Sequence, residues 1–302
     1  MNSRLIKFIG TQPLFIIADV AGHFDAFLKL VNQVPENMKI LLLGDVCDKG
    51  PQTAQIIEYI LKHKDRFIWL MGNHEHLMYS CYNNQVRGGK TKIDEAHWIY
   101  INGGFKTLFS YGLEVKIPKV NGKEVSYKEF RHHYDYCRKN GYFDEYKRLK
   151  NSDEFLFTID QIKKIPQSHI DHIMQLPLIY TQDDLFCSHG HLQTENNSDL
   201  YNLDKMETND FLLDFGVLWN RNVPKRPRKD KKFIVYGHMN MENVYCHTKQ
   251  NPKGRYSEDL TILPNSFGVC FDLTAYGNKL VGMYWPDKKI VSESIVWEDY
   301  EK

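Results

Sequence analysis

The chain has almost no net charge, a formal +1 over 302 residues, so no global field draws it to nucleic acid or to an anionic membrane. It lacks any apolar run long enough to span a bilayer. Its first ten residues lack the apolar core and small-residue cleavage site of a secretory leader. The six cysteines (Cys47, Cys81, Cys137, Cys187, Cys246 and Cys270) include no C-x-x-C pair. That argues against a zinc-thiolate site and leads to an expectation of reduced thiols in a cytoplasmic protein. No internal repeat or low-complexity tract is present.

With 42% hydrophobic residues the chain can bury a sizeable core, and residues 1–302 read as one domain. The first third alternates strand and helix. Leu14 to Asp19, Ile40 to Gly44 and Phe67 to Met71 are apolar strands. Between them, Asp25 to Val34 and the stretch from Pro51 to Lys62 carry apolar residues at helical spacing. This pattern predicts a right-handed parallel sheet. The segment 113–165 is charged and aromatic, with helical patterning at Tyr127 to Asn140 and Phe143 to Leu149, and reads as an inserted helical cap. Later strands are expected at Leu178 to Thr181, Leu185 to Cys187, Phe233 to Tyr236, Gly268 to Phe271 and Lys279 to Tyr284, with one more after Pro286.

Five apolar runs end in polar motifs: Asp19-Val20-Ala21-Gly22, Gly44-Asp45-Val46-Cys47-Asp48-Lys49-Gly50, Gly72-Asn73-His74-Glu75, Ser188-His189-Gly190 and Gly237-His238. Strands that deliver side chains at their C-terminal ends are how α/β folds build sites. Any one of these aspartates alone would read as a helix cap. Together they are a ligand set of carboxylate, amide oxygen and imidazole without thiolate, which suits Mn²⁺, Fe²⁺ or Zn²⁺, with Mn²⁺ preferred. Two such ions about 3.5–4 Å apart can clamp a phosphoryl group and acidify a bridging water for in-line attack.

The order of motifs resembles the calcineurin-like metallophosphoesterases: D-x-H-G, G-D-x-x-D-R-G, G-N-H-E, H-G and G-H. Within them it is similar to the phosphoprotein phosphatase branch. Trp98 to Gly112 looks like the W-x-x-N-G-G-x-x-T-L-x-S-Y segment of phage lambda-type phosphatases and symmetrical diadenosine tetraphosphate hydrolases. Leu176-Pro177-Leu178, Leu218-Trp219-Asn220-Arg221 and Gly268 to Tyr284 fit the same group. The resemblance implies an α/β sandwich of two mixed β-sheets flanked by helices. It implies two divalent metal ions, one on Asp19 and a bridging Asp45, the other on Asp45, Asn73, His189 and His238. His74 would be the general acid, held by Asp48, while Arg221 and Lys49 contact the phosphate.

Three departures stand out. Ala21 replaces a ligating His, Lys49 replaces an Arg and so offers a point charge without a fork, and Met71 stands where a second phosphate-binding Arg is common. His23 lies two residues beyond the lost ligand and is not read as its substitute. The expected activity is hydrolysis of a phosphoprotein or small phosphomonoester, impaired by Ala21. A hydrolase of dinucleoside polyphosphates or of another nucleotide or nucleic-acid phosphate is the alternative, and a pseudo-phosphatase scaffold is a third reading. The basic loop Pro224 to Lys232 offers Lys225, Arg226, Arg228 and Lys229 as contacts for an anionic substrate. The pairs His132/His133 and His169/His172 read as solvated surface.

Overall fold

The structure, a computed structural model, describes residues 5–86, 97–115, 117–142, 163–191, 217–257, 259–274 and 277–296. Two mixed sheets share one core. The first contains β2 (Leu14–Ile17), β3 (Lys39–Leu42), β4 (Phe67–Trp69), β13 (Lys279–Trp285) and β14 (Lys289–Ser294), in the order β14-β13-β2-β3-β4. Its strands β2, β3 and β4 are parallel, and helices α1 (Phe24–Val31) and α2 (Thr53–Lys62) connect them, as the alternation predicts. The second sheet contains β1 (Leu5–Lys7), β7 (Ile179–Thr181), β8 (Leu185–Ser188), β9 (Phe233–Tyr236), β10 (Tyr245–Thr248), β11 (Arg255–Tyr256) and β12 (Ser266–Cys270). Their order is β1-β7-β8-β9-β12-β10-β11.

Apart from the exposed Lys39 that opens β3, strands β2 and β3 are apolar at every position because they are covered on both faces. Successive side chains point to opposite sides of a sheet. Leu14, Ile16 and Leu41 therefore pack with Tyr180, Leu185, Val235 and Val269 between the two sheets. Phe15, Ile17, Ile40 and Leu42 instead pack against Phe27, Leu30, Ile56 and Ile60 of the helices. Each fully buried side chain of this kind contributes about 1.5–3 kcal/mol.

The first strand ends at Ile17 rather than Asp19, because Asp19 turns into the left-handed region with φ 41°. The segment 113–165 is not purely helical. It includes a small hairpin, β5 (Lys119–Val120) and β6 (Lys123–Glu124), turning at Asn121 and Gly122. Helix α5 (Tyr127–Lys139) follows, opened by a capping box between Ser126 and Glu129. Phe130, Tyr134 and Cys137 of α5 join the helix-side core. The helix expected at Phe143 to Leu149 lies outside the described residues. Three further helices, α3 (Asn73–Val86), α4 (Gly104–Ser110) and α6 (Gln167–Met174), and a π-helical turn at His97–Ile101 complete the described elements. No described helix is long and apolar enough to cross a membrane. None of the six cysteines is in a disulfide, and all are buried.

Candidate metal centre

Five strand ends converge. Asp19 follows β2, Asp45 follows β3, and Asn73 follows β4 as the first residue of α3; on the other sheet His189 follows β8 and His238 follows β9. All five side chains are buried. The backbone takes left-handed φ values at Asp19, Ala21, Asp45, Asp48, Lys49 and His238. Such φ values are uncommon outside glycine and cost roughly 1 kcal/mol each, so strain is concentrated in these loops. Two glycines make the close approach possible. A Cβ on Gly72 would lie 2.2 Å from Asp45 Oδ1, and one on Gly237 would lie 2.1 Å from Asp19 Oδ2.

Glu75 ties the second and third motifs together. Its carboxylate accepts hydrogen bonds from the backbone N–H of Asp45 (2.8 Å), Val46 (2.7 Å) and Gly72 (2.8 Å). Burial, with Asp45 nearby, pushes its carboxyl up to about 7. The motif reading quoted Glu75 but assigned it no role. A further fastening is the His74 N–H at the start of α3, which donates to Asp45 Oδ1 at 3.0 Å.

His189 shows how the site is oriented. Its Nδ1 lies 3.0 Å from the Leu43 carbonyl, which fixes the proton there and leaves Nε2 with its lone pair facing the centre. That Nε2 lies 2.9 Å from Asn73 Oδ1, 3.2 Å from His238 Nδ1 and 3.3 Å from Asp45 Oδ1. Asp45, His189 and His238 present ligand atoms within 4.8 Å of one another. Burial keeps both imidazoles neutral: it lowers His189, and it takes His238, with help from His189, down to about 2. Burial opposes ionisation of Asp45, but the positive charge that His189 and His74 carry when protonated outweighs it and holds the carboxyl below its usual range. A charged carboxylate, an amide oxygen and two neutral imidazoles around one point fit a divalent ion.

The other position is poorer. Asp19 accepts from His238 N–H at 3.1 Å, and Ala21, 1% exposed, offers no donor atom. Burial first, then Asp272 and Asp45, raise the Asp19 carboxyl well above its ordinary value. His23 is buried at the start of α1 and lowered to about 4 by burial, then by Lys106 and Lys49.

Beside the ligands, His74 Nδ1 lies 2.6 Å from Asp48 Oδ2, and His74 Nε2 lies 3.6 Å from Asp45 Oδ2. Trp98 Nε1 donates to Asp48 Oδ2 (2.9 Å) and Thr107 Oγ1 to Asp48 Oδ1 (2.6 Å), so the buried Asp48 is fully engaged. Sequence reasoning placed the Trp98 segment in a family motif without seeing this contact. Burial pulls His74 down, but Asp45 and Asp48 outweigh it and raise its pKa. Lys49 and Arg221 line the cavity above these groups, as do Asp45, Asn73, His74 and His238.

The basic loop is corrected in one residue. Arg228 is buried, with Nε and Nη2 donating to Asp230 at 2.9 and 2.8 Å and its guanidinium 4.1 Å over the Phe186 ring. It is a packing residue, because a bidentate partner and an aromatic face hold it inside. Lys225, Arg226 and Lys229 are exposed, but they do not line the cavity. Arg228→Ala is expected to destabilise the fold by about 2 kcal/mol, since hydrogen bonds to charged groups are lost. Thermal unfolding checks this, and an unchanged Tm counts against it. His169 is also corrected: it is buried, 3.1 Å from Glu58 Oε2 and 2.8 Å from the Tyr111 hydroxyl, not solvated. His132 lies on the cavity wall.

Residues 13–263 match the family model for calcineurin-like phosphoesterases, and the chain belongs to that family. Over 72 residues it is 39% identical to a zinc-dependent endopolyphosphatase of Saccharomyces cerevisiae, 22% of each chain. Over 71 residues it is 30% identical to a symmetrical bis(5'-nucleosyl)-tetraphosphatase of Chromobacterium violaceum, 22% of this chain and 26% of that one. The matches thus span about a quarter of each of these relatives. The fold is shared with a serine/threonine phosphatase from Saccharomyces cerevisiae: TM-score 0.50, 13% identity, covering 98% of this chain and 85% of the other.

Proposed function

We propose that the chain is a metal-dependent phosphohydrolase in which Asp45, Asn73, His189 and His238 hold one divalent ion. Asp19 and Asp45 belong to a second, weaker position, and His74 gives a proton to the leaving oxygen. The observation that carries this reading is the convergence of four neutral or anionic donor atoms at one buried point next to the His74–Asp48 pair. The oxygen-rich share of the ligand set favours Mn²⁺ over Zn²⁺ or Fe²⁺. When bound, such an ion polarises a phosphoryl group and lowers the pKa of its water. Lys49 and Arg221 line the cavity and meet the phosphate oxygens. Phosphate release from an aryl phosphate, a phosphopeptide and diadenosine tetraphosphate, with Mn²⁺, Fe²⁺, Zn²⁺ and no metal, tests the reading. Metal-dependent release supports it. Metal and phosphopeptide binding without turnover would make the protein a scaffold; no metal binding at all would overturn the reading.

Among substrates, one observation favours an extended polyphosphate, such as a dinucleoside polyphosphate. The cavity, about 1070 Å³, carries cations well beyond the metal centre: Lys106, and Lys128 and Arg131 on α5. Tyr100, Phe105 and Tyr127 line the same wall, the last two stacked at 4.0 Å. Of the acidic residues there, Glu129 is engaged in the capping box and Asp135 pairs with Arg138, while Glu124 stands exposed on β6. The positive wall is on the helix of the 113–165 segment, not on the 225–229 loop. Neutralising Lys128 and Arg131 together is expected to raise KM for diadenosine tetraphosphate up to about 10-fold, with kcat little changed, because exposed charges act mainly on capture. An aryl phosphate, which offers a single phosphate, is expected to keep its KM. Equal effects on both substrates would remove α5 from substrate capture.

A further inference from the structure

We propose that Ile117 and Tyr127 form a nucleobase subsite on the cavity wall, which makes the substrate a nucleoside polyphosphate rather than a bare polyphosphate or a phosphopeptide. The inference rests on the metallophosphoesterase reading above and adds a binding site outside the five motifs.

The β5–β6 hairpin and the start of α5 build this wall. Val120 pairs with Lys123, and Lys119 with Glu124. Val125 N–H donates to the Pro118 carbonyl at 2.9 Å, so the register runs on and brings Ile117 level with Ser126, beside Tyr127. The capping box of Ser126 and Glu129 fixes where α5 begins. The Tyr127 ring is set in turn by Phe105, parallel to it at 4.0 Å, and by Tyr100 at 5.7 Å. Ile117 and Tyr127 both line the cavity that holds Asp45, His74 and His238.

A lone exposed isoleucine is ordinary. Ile117, 55% exposed, is not alone: it shares a cavity with an ordered aromatic layer. That cavity, about 1070 Å³, is far larger than a phosphoryl group and is of the size that encloses a whole small-molecule ligand. Nucleobases stack on such rings because every base offers a π-face. The cations complete the assignment. Arg131 lies four residues beyond Tyr127, on the same face of α5, and Lys106 and Lys128 line the same cavity. A peptide with one phosphate makes little use of three cations beyond the metal centre. An inorganic polyphosphate meets the cations but gains nothing from Ile117 and Tyr127. A nucleoside polyphosphate uses both: its phosphates run from the metal centre past the cations, and its base rests against the apolar wall.

Calorimetric titration of the full chain with ATP and with inorganic tripolyphosphate, at matched free Mn²⁺, is the test. Both probes carry three phosphates, so a difference isolates the nucleoside. The native chain is expected to bind ATP at least about 5-fold more tightly than tripolyphosphate. Ile117→Ser and Tyr127→Leu are each expected to narrow that ratio, and together to remove it. If Tyr127 only packs the core, Tyr127→Leu lowers the Tm and leaves the ratio as it was, which overturns the proposal. Should Tyr127→Leu not fold, Ile117→Ser at the exposed position decides, together with photolabelling of the native chain by an azido derivative of ATP. Label between Ile117 and Tyr127 supports the subsite, and label elsewhere overturns it. Equal affinities for ATP and tripolyphosphate would overturn it and leave the metallophosphoesterase reading standing. Variants that lose affinity for a phosphopeptide but not for ATP would also overturn it and give the wall to a peptide. Uptake of no Mn²⁺ by the native chain would overturn the underlying reading as well.

Discussion

Ala21→His is expected to raise kcat with Mn²⁺ by more than the roughly 10–100-fold that a supporting partner of a metal site commands, because an imidazole in direct reach of the ion is worth more. The backbone is ready for it. Ala21 sits at φ 49°, and histidine is among the residues enriched at positive φ. The turn is also held by backbone alone: Ala21 N–H donates to the Asp45 carbonyl at 2.8 Å, and Gly50 N–H donates to the Ala21 carbonyl at 2.9 Å. These backbone hydrogen bonds do not depend on the side chain and survive the substitution. The gain should appear first as tighter uptake of the ion shared by Asp19 and Asp45. Turnover should follow, while KM changes little. Metal titration and phosphate release on matched Mn²⁺ series measure both. A histidine form that binds more metal but is no faster on any substrate would make the chain a scaffold rather than an impaired enzyme.

His74→Asn is expected to lower kcat by about 10²–10⁴ on substrates with poor leaving groups. Activated aryl phosphates should lose much less, because their leaving oxygen needs no proton. Equal losses on both would remove His74 from the proton-donor role. The pH dependence has a definite sign. The His74 pKa is raised, so its protonated form persists above the usual imidazole range and is lost as pH rises through the raised value. Activity on poor leaving groups should fall along that alkaline limb. Asp48→Asn removes the anion at 2.6 Å, so the limb should move to lower pH. Asp45 also raises His74, but a bound cation would weaken its influence, which leaves Asp48 as the residue to test.

Much of the centre could be read from the chain because each of the five motifs follows an apolar run that became a strand, and strand ends in such sheets meet. The left-handed backbone was half legible. Glycines at 22, 44, 72 and 237 announce tight turns, but the positive φ values fall mostly on aspartates, Lys49 and His238. What stayed hidden depends on contacts between distant segments. Arg228 looked like one of several loop cations because nothing local predicts the Phe186 ring below it. The His169 link to Glu58 spans 111 residues. The basic wall on α5 shares a helix with acidic residues, so its composition alone did not set it apart.

Trp98 is one of the links between Asp48 and α5. Its indole donates to Asp48, and Gly104 must lack a side chain because a Cβ there would meet the ring at 2.6 Å. Two residues along the same π-helical turn, Tyr100 packs edge-on against Phe130 of α5 at 4.9 Å. The wall proposed to meet the substrate and one of the carboxylates that raise His74 are thus mechanically linked. If α5 shifts, the turn shifts with it, and a lengthened indole contact leaves the Asp48 charge less offset by donors and acting more strongly on His74. Acidity at the reaction centre then becomes a readout of how the cavity is filled, and substrates of different length would experience proton donors of different strength from the same imidazole.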